Sequence, residues 1–565
     1  MASRVATSAK SKVTGEIYRG YMPIGLPQHE PRQRVKPWWK VEGRPRVSIY
    51  PKLPQEKKDL YTDEPQYPPL NDGSPAGLRR QVRLDWYDTL KRLPTAEMKM
   101  HEVTKHVTHY TAHFHNWLPN YNSLPMAKYM TRTHLVESLP SSYQVVYSES
   151  EPSNPQDDSY DELHATIEDV VLDQIALDLY QSHKFNPHFV SKSSRDGNRH
   201  QYVSNRFIEN LVSGIRSILA CEKNKQLLDY QFDLAPAIRS WWYHSGFGPP
   251  NNKVFYRSRK DANGNINQMI QMDGYSALNV RNDSLIEPVE SLESDLVNDA
   301  NLIENFSYPL RNYGAMLKFK RPVSLPGFWF EEVPKYDCPH TMFLSTDCLN
   351  TRNMSIKTKA VPATDRENCL NTQAIMSAFG WLNSLSCYHG YTPFQELDYP
   401  FTSQVITTNG QEWLFNVYQL NTHAFHRDLE IPARNNICWS SGLMRLYGTY
   451  EDGVFKDINK DVIKLLIKFM SKQTSPAYTR QLNLRPYLGT SSEPNSGTAN
   501  DEEMEKMKTE LRNAYEQREN KKLLSDWFVP LFEHVFFRHK DIRQRITDMK
   551  PKWHLPKPKY PKIFE

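Results

Sequence analysis

The chain has 565 residues, with 70 Lys or Arg against 65 Asp or Glu, and 39 Pro and 31 Tyr beside only 22 Gly. That length sets no limit on burying a core, and the composition fits globular blocks joined by extended, proline-stiffened connections. No apolar run is long enough to span a membrane, and six Cys scattered between Cys221 and Cys438 argue against a disulfide framework.

The first 70 residues are expected to form a basic extended arm. Met1 to Lys58 carries thirteen Lys or Arg and four Glu. Arg4, Lys10, Lys12 and Arg19 with Glu16 as the single early acid match the balance of a mitochondrial targeting segment, although the small residues make a weak amphipathic helix. Further on, Arg32, Arg34, Lys36, Lys40, Arg44 and Arg46 alternate with Trp38 and Trp39. Cations neutralise phosphates and aromatics stack on unpaired bases, so these eight residues are candidate RNA contacts; a solvated tail is the plainer alternative.

Residues 71–147 are expected to be a helical segment. The turn signal NDGSPAG precedes one helix over Leu78 to Leu93, and a second is predicted from Thr95 to Trp117. On a helix His109 and His113 would sit one turn apart, but Tyr110 stands where a zinc hydrolase places its glutamate, so surface, core or RNA-facing histidines are the favoured reading. Residues 148–162, SESEPSNPQDDSYDE, are acidic, carry no apolar stripe and read as a linker.

A mixed α/β core is expected over 163–470. Helical periodicity runs from Leu163 to Lys184 and again from Tyr202 to Leu228. The period then shortens: Arg239 to Pro249, Lys253 to Asp261, INQMIQMDG and YSALNV read as strands, and Tyr308 to Lys320 and Ser324 to Glu332 continue the mixed pattern of helix and sheet. Trp241, Trp242 and Trp329 are expected to anchor a core or an interface. The densest apolar stretch is Asn371 to Met470, with strands in PFTSQVITT and EWLFNVYQLNT. It closes on a helix whose Ile458, Val462, Leu465, Leu466 and Phe469 form one stripe.

Chemical motifs in this core are weak. Cys338, His340, Cys348 and Cys369 could make a zinc site, yet they lack paired Cys-x-x-Cys knuckles. Cys387 with His389, and Cys438 with His423 or His426, could form thiol–imidazole pairs, but chain order does not establish proximity. No phosphate loop or Gly-x-Ser-x-Gly elbow is present. No catalytic residue, metal ligand or cofactor site is therefore assigned.

Residues 471–500 are expected to be a flexible linker and 501–565 a helical extension with a basic tail. Trp527, Phe528, Phe532 and Phe536 lie in its most aromatic segment and need a second burial place, in cis or on a partner. Lys550, Lys552, Lys557 and Lys559 mirror the N-terminal arm as candidate RNA contacts. The whole chain thus reads as α+β with basic, proline-rich arms.

The segments YPPLNDGSPAGLRR (Tyr67 to Arg80), MAKYMTRT (Met126 to Thr133), FTSQVITTNGQEWLFNVYQLNTHAF (Phe401 to Phe425) and NNICWSSGLMRLYGTYEDGVFKDINKDVI (Asn435 to Ile463) resemble a family of metazoan mitochondrial ribosomal proteins also called programmed cell death protein 9. That family carries a historical small-subunit name and is now placed in the large subunit. The resemblance implies a non-catalytic structural constituent in the mitochondrial matrix. It would bind large-subunit ribosomal RNA and neighbouring ribosomal proteins, including a similarly folded metazoan-specific partner. A component of another mitochondrial ribonucleoprotein is the second reading, and a metal or thiol enzyme a third.

Overall fold

The computed structural model describes residues 75–105, 109–116, 123–144, 155–185, 197–222, 229–247, 266–304, 306, 310, 316–320, 322–328, 336–346, 348–349, 363–426, 434–451, 454–489, 502, 505–509 and 511. All belong to the second of two units, Gly73–Glu565; the first is Met1–Asp72. The helices are α1 (Pro75–Arg92), α2 (Ala96–Lys105), α3 (Leu124–Met130), α4 (Pro155–Phe185), α5 (Gly197–Glu222), α6 (Asp295–Asn298), α7 (Ala363–Tyr388), α8 (Lys460–Met470) and α9 (Pro476–Gln481). Between them run β1 (His109–His115), β2 (Thr133–Val136), β3 (Gln231–Leu234), β4 (Ala237–Phe247), β5 (Ile266–Tyr275), β6 (Leu278–Asn282), β7 (Met316–Lys320), β8 (Cys338–Ser345), β9 (Phe401–Thr408), β10 (Glu412–Leu420), β11 (Asn436–Ser440), β12 (Met444–Arg445), β13 (Thr449–Glu451) and β14 (Val454–Lys456). The fold class is α+β, with helices and mixed sheets.

Two sheets and one central helix organise the unit. The larger sheet has eight strands in the order β2-β11-β10-β9-β8-β6-β3, with β12 on β10; the smaller runs β4-β5-β1-β7. Both are mixed: β8 with β9, β2 with β11 and β1 with β5 pair parallel, and the remaining neighbours antiparallel. Helix α7 lies between the sheets. On one side Asn383 Nδ2 donates to Ser240 Oγ at 2.6 Å and to the Trp241 carbonyl at 3.0 Å in β4. On the other, Asn371 Oδ1 accepts from Asn416 of β10 at 3.1 Å and from Ser440 of β11 at 3.0 Å. The approach to β5 is so close that a Cβ on Gly380 would fall 2.0 Å from Met272 Cε.

Strand β10 shows how this layering is written into side chains. Trp413, Phe415 and Val417 point into one core with Ile167, Val171 and Ile175 of α4, Phe207, Leu211 and Ile215 of α5, and Val462, Leu466 and Phe469 of α8. Tyr418 and Leu420 point into the opposite core with Phe379, Leu382 and Leu385 of α7. Alternate residues of a strand face opposite sides, so a sheet covered on both faces is apolar on both. Full burial of each large side chain contributes roughly 1.5–3 kcal/mol. Helix α8 starts where Asn459 Oδ1 accepts from the Asp461 N–H at 3.0 Å, an N-cap that satisfies one otherwise unpaired donor.

Several sequence expectations are corrected. The predicted Thr95–Trp117 helix stops at Lys105, and His109–His115 is strand β1. Four residues along a strand separate the Cα atoms of His109 and His113 by roughly 13 Å, so they are not a helical metal-binding pair. His113 instead bonds Asp273 of β5 at 2.9 Å. Helix α4 begins at Pro155, inside the stretch read as a linker, and α5 is described as far as Glu222, the expected continuation over 223–228 lying outside the described residues. Residues 476–481, expected to lie in a flexible linker, form α9; Ser475 caps it, and Thr479 Oγ1 accepts from the Leu285 N–H at 2.9 Å. Trp241 and Trp242 are buried, with Trp242 Nε1 donating to the Met130 carbonyl at 3.0 Å. Trp329 and the segment 253–261 lie outside the described residues.

Candidate functional site

A cleft of about 540 Å³ opens between the C-terminal turn of α1 and the turn at 486–489, lined by Asp88, Lys91, Arg92, Pro94 and Pro486 to Gly489. Its floor follows from local rules. Pro94 disfavours helical backbone at the preceding residue, so α1 stops at Arg92, with Lys91 and Arg92 in its last turn where the helix dipole favours cations. Thr95 Oγ1 then accepts from the Met98 N–H at 3.2 Å and restarts the chain as α2. The opposite wall is fastened to the body. The Gly489 N–H donates to the Pro94 carbonyl at 2.9 Å, Tyr399 OH to the Leu484 carbonyl at 2.6 Å, and Arg485 pairs with Asp337 at 2.7 Å.

Lys99 of α2 is the least ordinary residue here, being almost wholly buried. Its ammonium donates to two carbonyls, Gly390 at 2.9 Å and Lys91 at 3.2 Å, both at helix C-terminal ends where the dipole is negative. No carboxylate among the described residues pairs with it. Burial, and then the charge of Lys91, pull its pKa down to about 8. The ammoniums of Lys91 and Lys99 lie 5.1 and 5.6 Å from the centroid of the Tyr487 ring, within cation–π range. The Tyr487 hydroxyl reaches Asp398 at 3.4 Å, and burial with that carboxylate's charge raises its pKa. Chemically the cleft offers fixed positive charge and an aromatic face, without an activated nucleophile. The nearby Cys387 thiol is pushed by burial to about 11 and stays protonated at neutral pH.

The other sequence candidates are structural. Cys338 and His340 share β8, but His340 Nε2 bonds the Lys472 carbonyl at 2.9 Å and Nδ1 meets Thr341 Oγ1 at 2.8 Å. Burial lowers its pKa to about 4. Cys348 and Cys369 pack together in a separate small cluster with Leu370 and Leu414. Among the described residues no three His, Cys, Asp or Glu converge as a metal site. His389 bonds the Asp337 carbonyl at 3.1 Å, not Cys387. His423 Nδ1 lies 2.8 Å from Asn383 Oδ1 and 2.9 Å from Ser386 Oγ, which fastens the loop after β10 onto α7. Burial lowers its pKa to about 3. His426 meets the Tyr87 hydroxyl at 3.0 Å, and burial pushes the Cys438 thiol up to about 12.

The RNA candidates Arg32, Arg34, Lys36, Trp38, Trp39, Lys40, Arg44, Arg46, Lys550, Lys552, Lys557 and Lys559, and the interface candidates Trp527, Phe528, Phe532 and Phe536, lie outside the described residues. Sequence reading missed the cleft. Lys91-Arg92 before a proline and Tyr487 in RPYLG were its local signals, but almost four hundred residues separate them. No helix among the described residues is long and apolar enough to cross a membrane. Compared with known families, residues 38–474 match the family model described as mitochondrial 28S ribosomal protein S30 (PDCD9).

Proposed function

The chain belongs to the mitochondrial 28S ribosomal protein S30 (PDCD9) family, and we propose that it is a non-catalytic structural constituent of the large subunit of the mitochondrial ribosome, in the matrix. The observation that carries this reading is the family match over residues 38–474, well more than half of the chain. It is a mitochondrial ribosomal protein with a structural role. The large-subunit assignment goes further: it rests on the family resemblance, against the 28S designation in the family's own description.

In support of a non-catalytic reading, His389, His423 and His426, the imidazoles of the thiol–imidazole pairs suggested by sequence, bond to other partners in the core. The basic segments 1–70 and 501–565 are the proposed arms that meet ribosomal RNA, with Arg32 to Arg46 and Lys550 to Lys559 neutralising phosphates. Trp527, Phe528, Phe532 and Phe536 are proposed to bury against a neighbouring ribosomal protein, such as the similarly folded partner that the resemblance implies. The test is capture of the tagged full-length chain from mitochondrial lysate, with both ribosomal RNAs quantified. Enrichment of large-subunit RNA over small-subunit RNA is expected after the subunits are separated; the reverse ratio assigns the protein to the small subunit and overturns this placement.

A further inference from the structure

The cleft between helix α1 and the Tyr487 turn is a basic feature of the described residues. We propose that it is a binding site for the phosphate backbone of a single-stranded RNA segment, held by Lys91 and Arg92 with Lys99 supplying positive potential from beneath. This rests on the ribosomal reading above and adds to it a defined contact on the folded body.

Three observations converge. First, Lys91 and Arg92 are exposed at the mouth and neither makes an ion pair with Asp88, although Asp88 and Arg92 stand one helical turn apart. Their charge is therefore available to a ligand. Second, Lys99 is a buried cation whose ammonium, among the described residues, bonds two neutral carbonyls and faces the Tyr487 ring without a carboxylate partner. Opposite charge brought within a few ångströms of such a group favours its charged form, so an anion seated above it recovers part of the desolvation cost. Third, the walls are pinned before any ligand arrives. Gly390, at φ +92°, approaches Leu488 so closely that a Cβ there would fall 2.5 Å from Leu488 Cγ, and Gly489 is bonded to Pro94. A preformed site loses little entropy on binding.

The volume suits a nucleotide-sized group, since ligand clefts run to roughly 300–1,000 Å³. Asp88 on the rim and Asp398 behind Tyr487 repel anions and limit the site to a chain that places phosphate toward Lys91 and Arg92. In a protein of a ribosomal family the occupant with regularly spaced phosphates is RNA, and these would meet exposed Lys91 and Arg92 beside the Tyr487 ring, over which the ammoniums of Lys91 and Lys99 lie at 5.1 and 5.6 Å.

The experiment uses the full-length chain and a fluorescent twelve-nucleotide oligouridylate, with affinity followed by anisotropy from low to moderate salt. The double variant K91Q/R92Q is compared with a control, K464Q, on the outer face of α8. Each lost phosphate contact on a single strand removes about 0.7 from the slope of log affinity against log salt. A slope shallower by about 1.4 and affinity roughly tenfold weaker at 0.1 M salt are expected for the double variant alone. In parallel, a 4-thiouridine version of the oligonucleotide should crosslink to the peptide containing Tyr487. An unchanged slope together with crosslinks confined to the terminal arms overturns the cleft site and leaves the ribosomal role standing. Equal displacement of the RNA from the cleft by a twelve-residue polyglutamate would assign it to an acidic protein segment instead. Loss of the protein from ribosomal particles would overturn the underlying functional reading, whatever the anisotropy shows.

Discussion

Replacing Asn436 with alanine should detach the edge of the larger sheet. Asn436 opens β11 and is fully buried. Its Oδ1 accepts from the backbone N–H groups of Asn421 at 2.7 Å and Thr422 at 2.9 Å, while its Nδ2 donates to the carbonyls of Thr131 at 2.7 Å and Thr422 at 2.9 Å. One amide thus completes four backbone groups and ties β2, which pairs in parallel with β11, to the loop leaving β10. Alanine leaves those groups without water to replace the lost partner. At about 1–3 kcal/mol for each unsatisfied buried group, with some relaxation toward neighbours, the expected loss is about 3–6 kcal/mol. Hydrogen exchange read by mass spectrometry, beside a thermal unfolding scan, separates local from global effects. Protection in 131–136 and 421–423 should fall first and furthest. Unchanged protection there, with a melting temperature equal to wild type, would refute the role assigned to this side chain.

Other perturbations probe different parts of the fold. Asp273 of β5 is drawn two ways. Burial pushes its pKa up, but the bond from His113 at 2.9 Å and the ion pair with Arg239 at 2.7 Å outweigh that and hold it below the usual carboxylate range. Asp273→Asn should lose about 2–4 kcal/mol in denaturant unfolding at pH 7. Because the folded pKa is depressed, that contribution is present above the unfolded value and fades as pH falls through the folded one, so variant and wild type should converge in strong acid. His244, His340 and His423 shift in the same direction for a different reason, burial lowering the first two to about 4 and the third to about 3. Between those values and roughly 6.5 the unfolded chain binds more protons, so stability rises with pH. Acidifying from pH 7 to 5 should remove about 2 kcal/mol for each, and a flat melting temperature over that range would contradict their neutral burial. Gly390→Ala combines a left-handed backbone with a clash on Leu488; about 2–4 kcal/mol of destabilisation and lost exchange protection at Gly489 are expected.

Legibility in the sequence tracked how one-sided each element's environment is. Helix α8 packs one stripe and exposes the other, so Val462, Leu465, Leu466 and Phe469 announced it. Strands β9 and β10 were visible as β-branched and aromatic runs. Helix α7 was legible as core but not as a helix, because sheets press on both of its sides and Trp381, Ser384 and Leu385 are all buried. A helix surrounded by protein has no polar face to set its period. The histidine stretch misled for a related reason. HYTAHFH alternates like a strand, and its helical spacing at His109 and His113 was accidental. Pro155 marks the start of α4, where a missing N–H does no harm, yet the acidic composition around it suggested a linker. The cleft had no readable local pattern. Lys91, Lys99 and Tyr487 become neighbours only once α1, α2 and the turn beyond α9 have docked.

The most direct measurement of the central claim is quantitative mass spectrometry of this chain across sucrose-gradient fractions of mitochondrial lysate, run with magnesium and again after magnesium depletion has separated the ribosomal subunits. Co-sedimentation with large-subunit proteins in both gradients, at about one copy per particle, is the expected result. A peak among light fractions, or in an RNA-containing particle that lacks ribosomal proteins, would contradict a structural role in the mitochondrial ribosome.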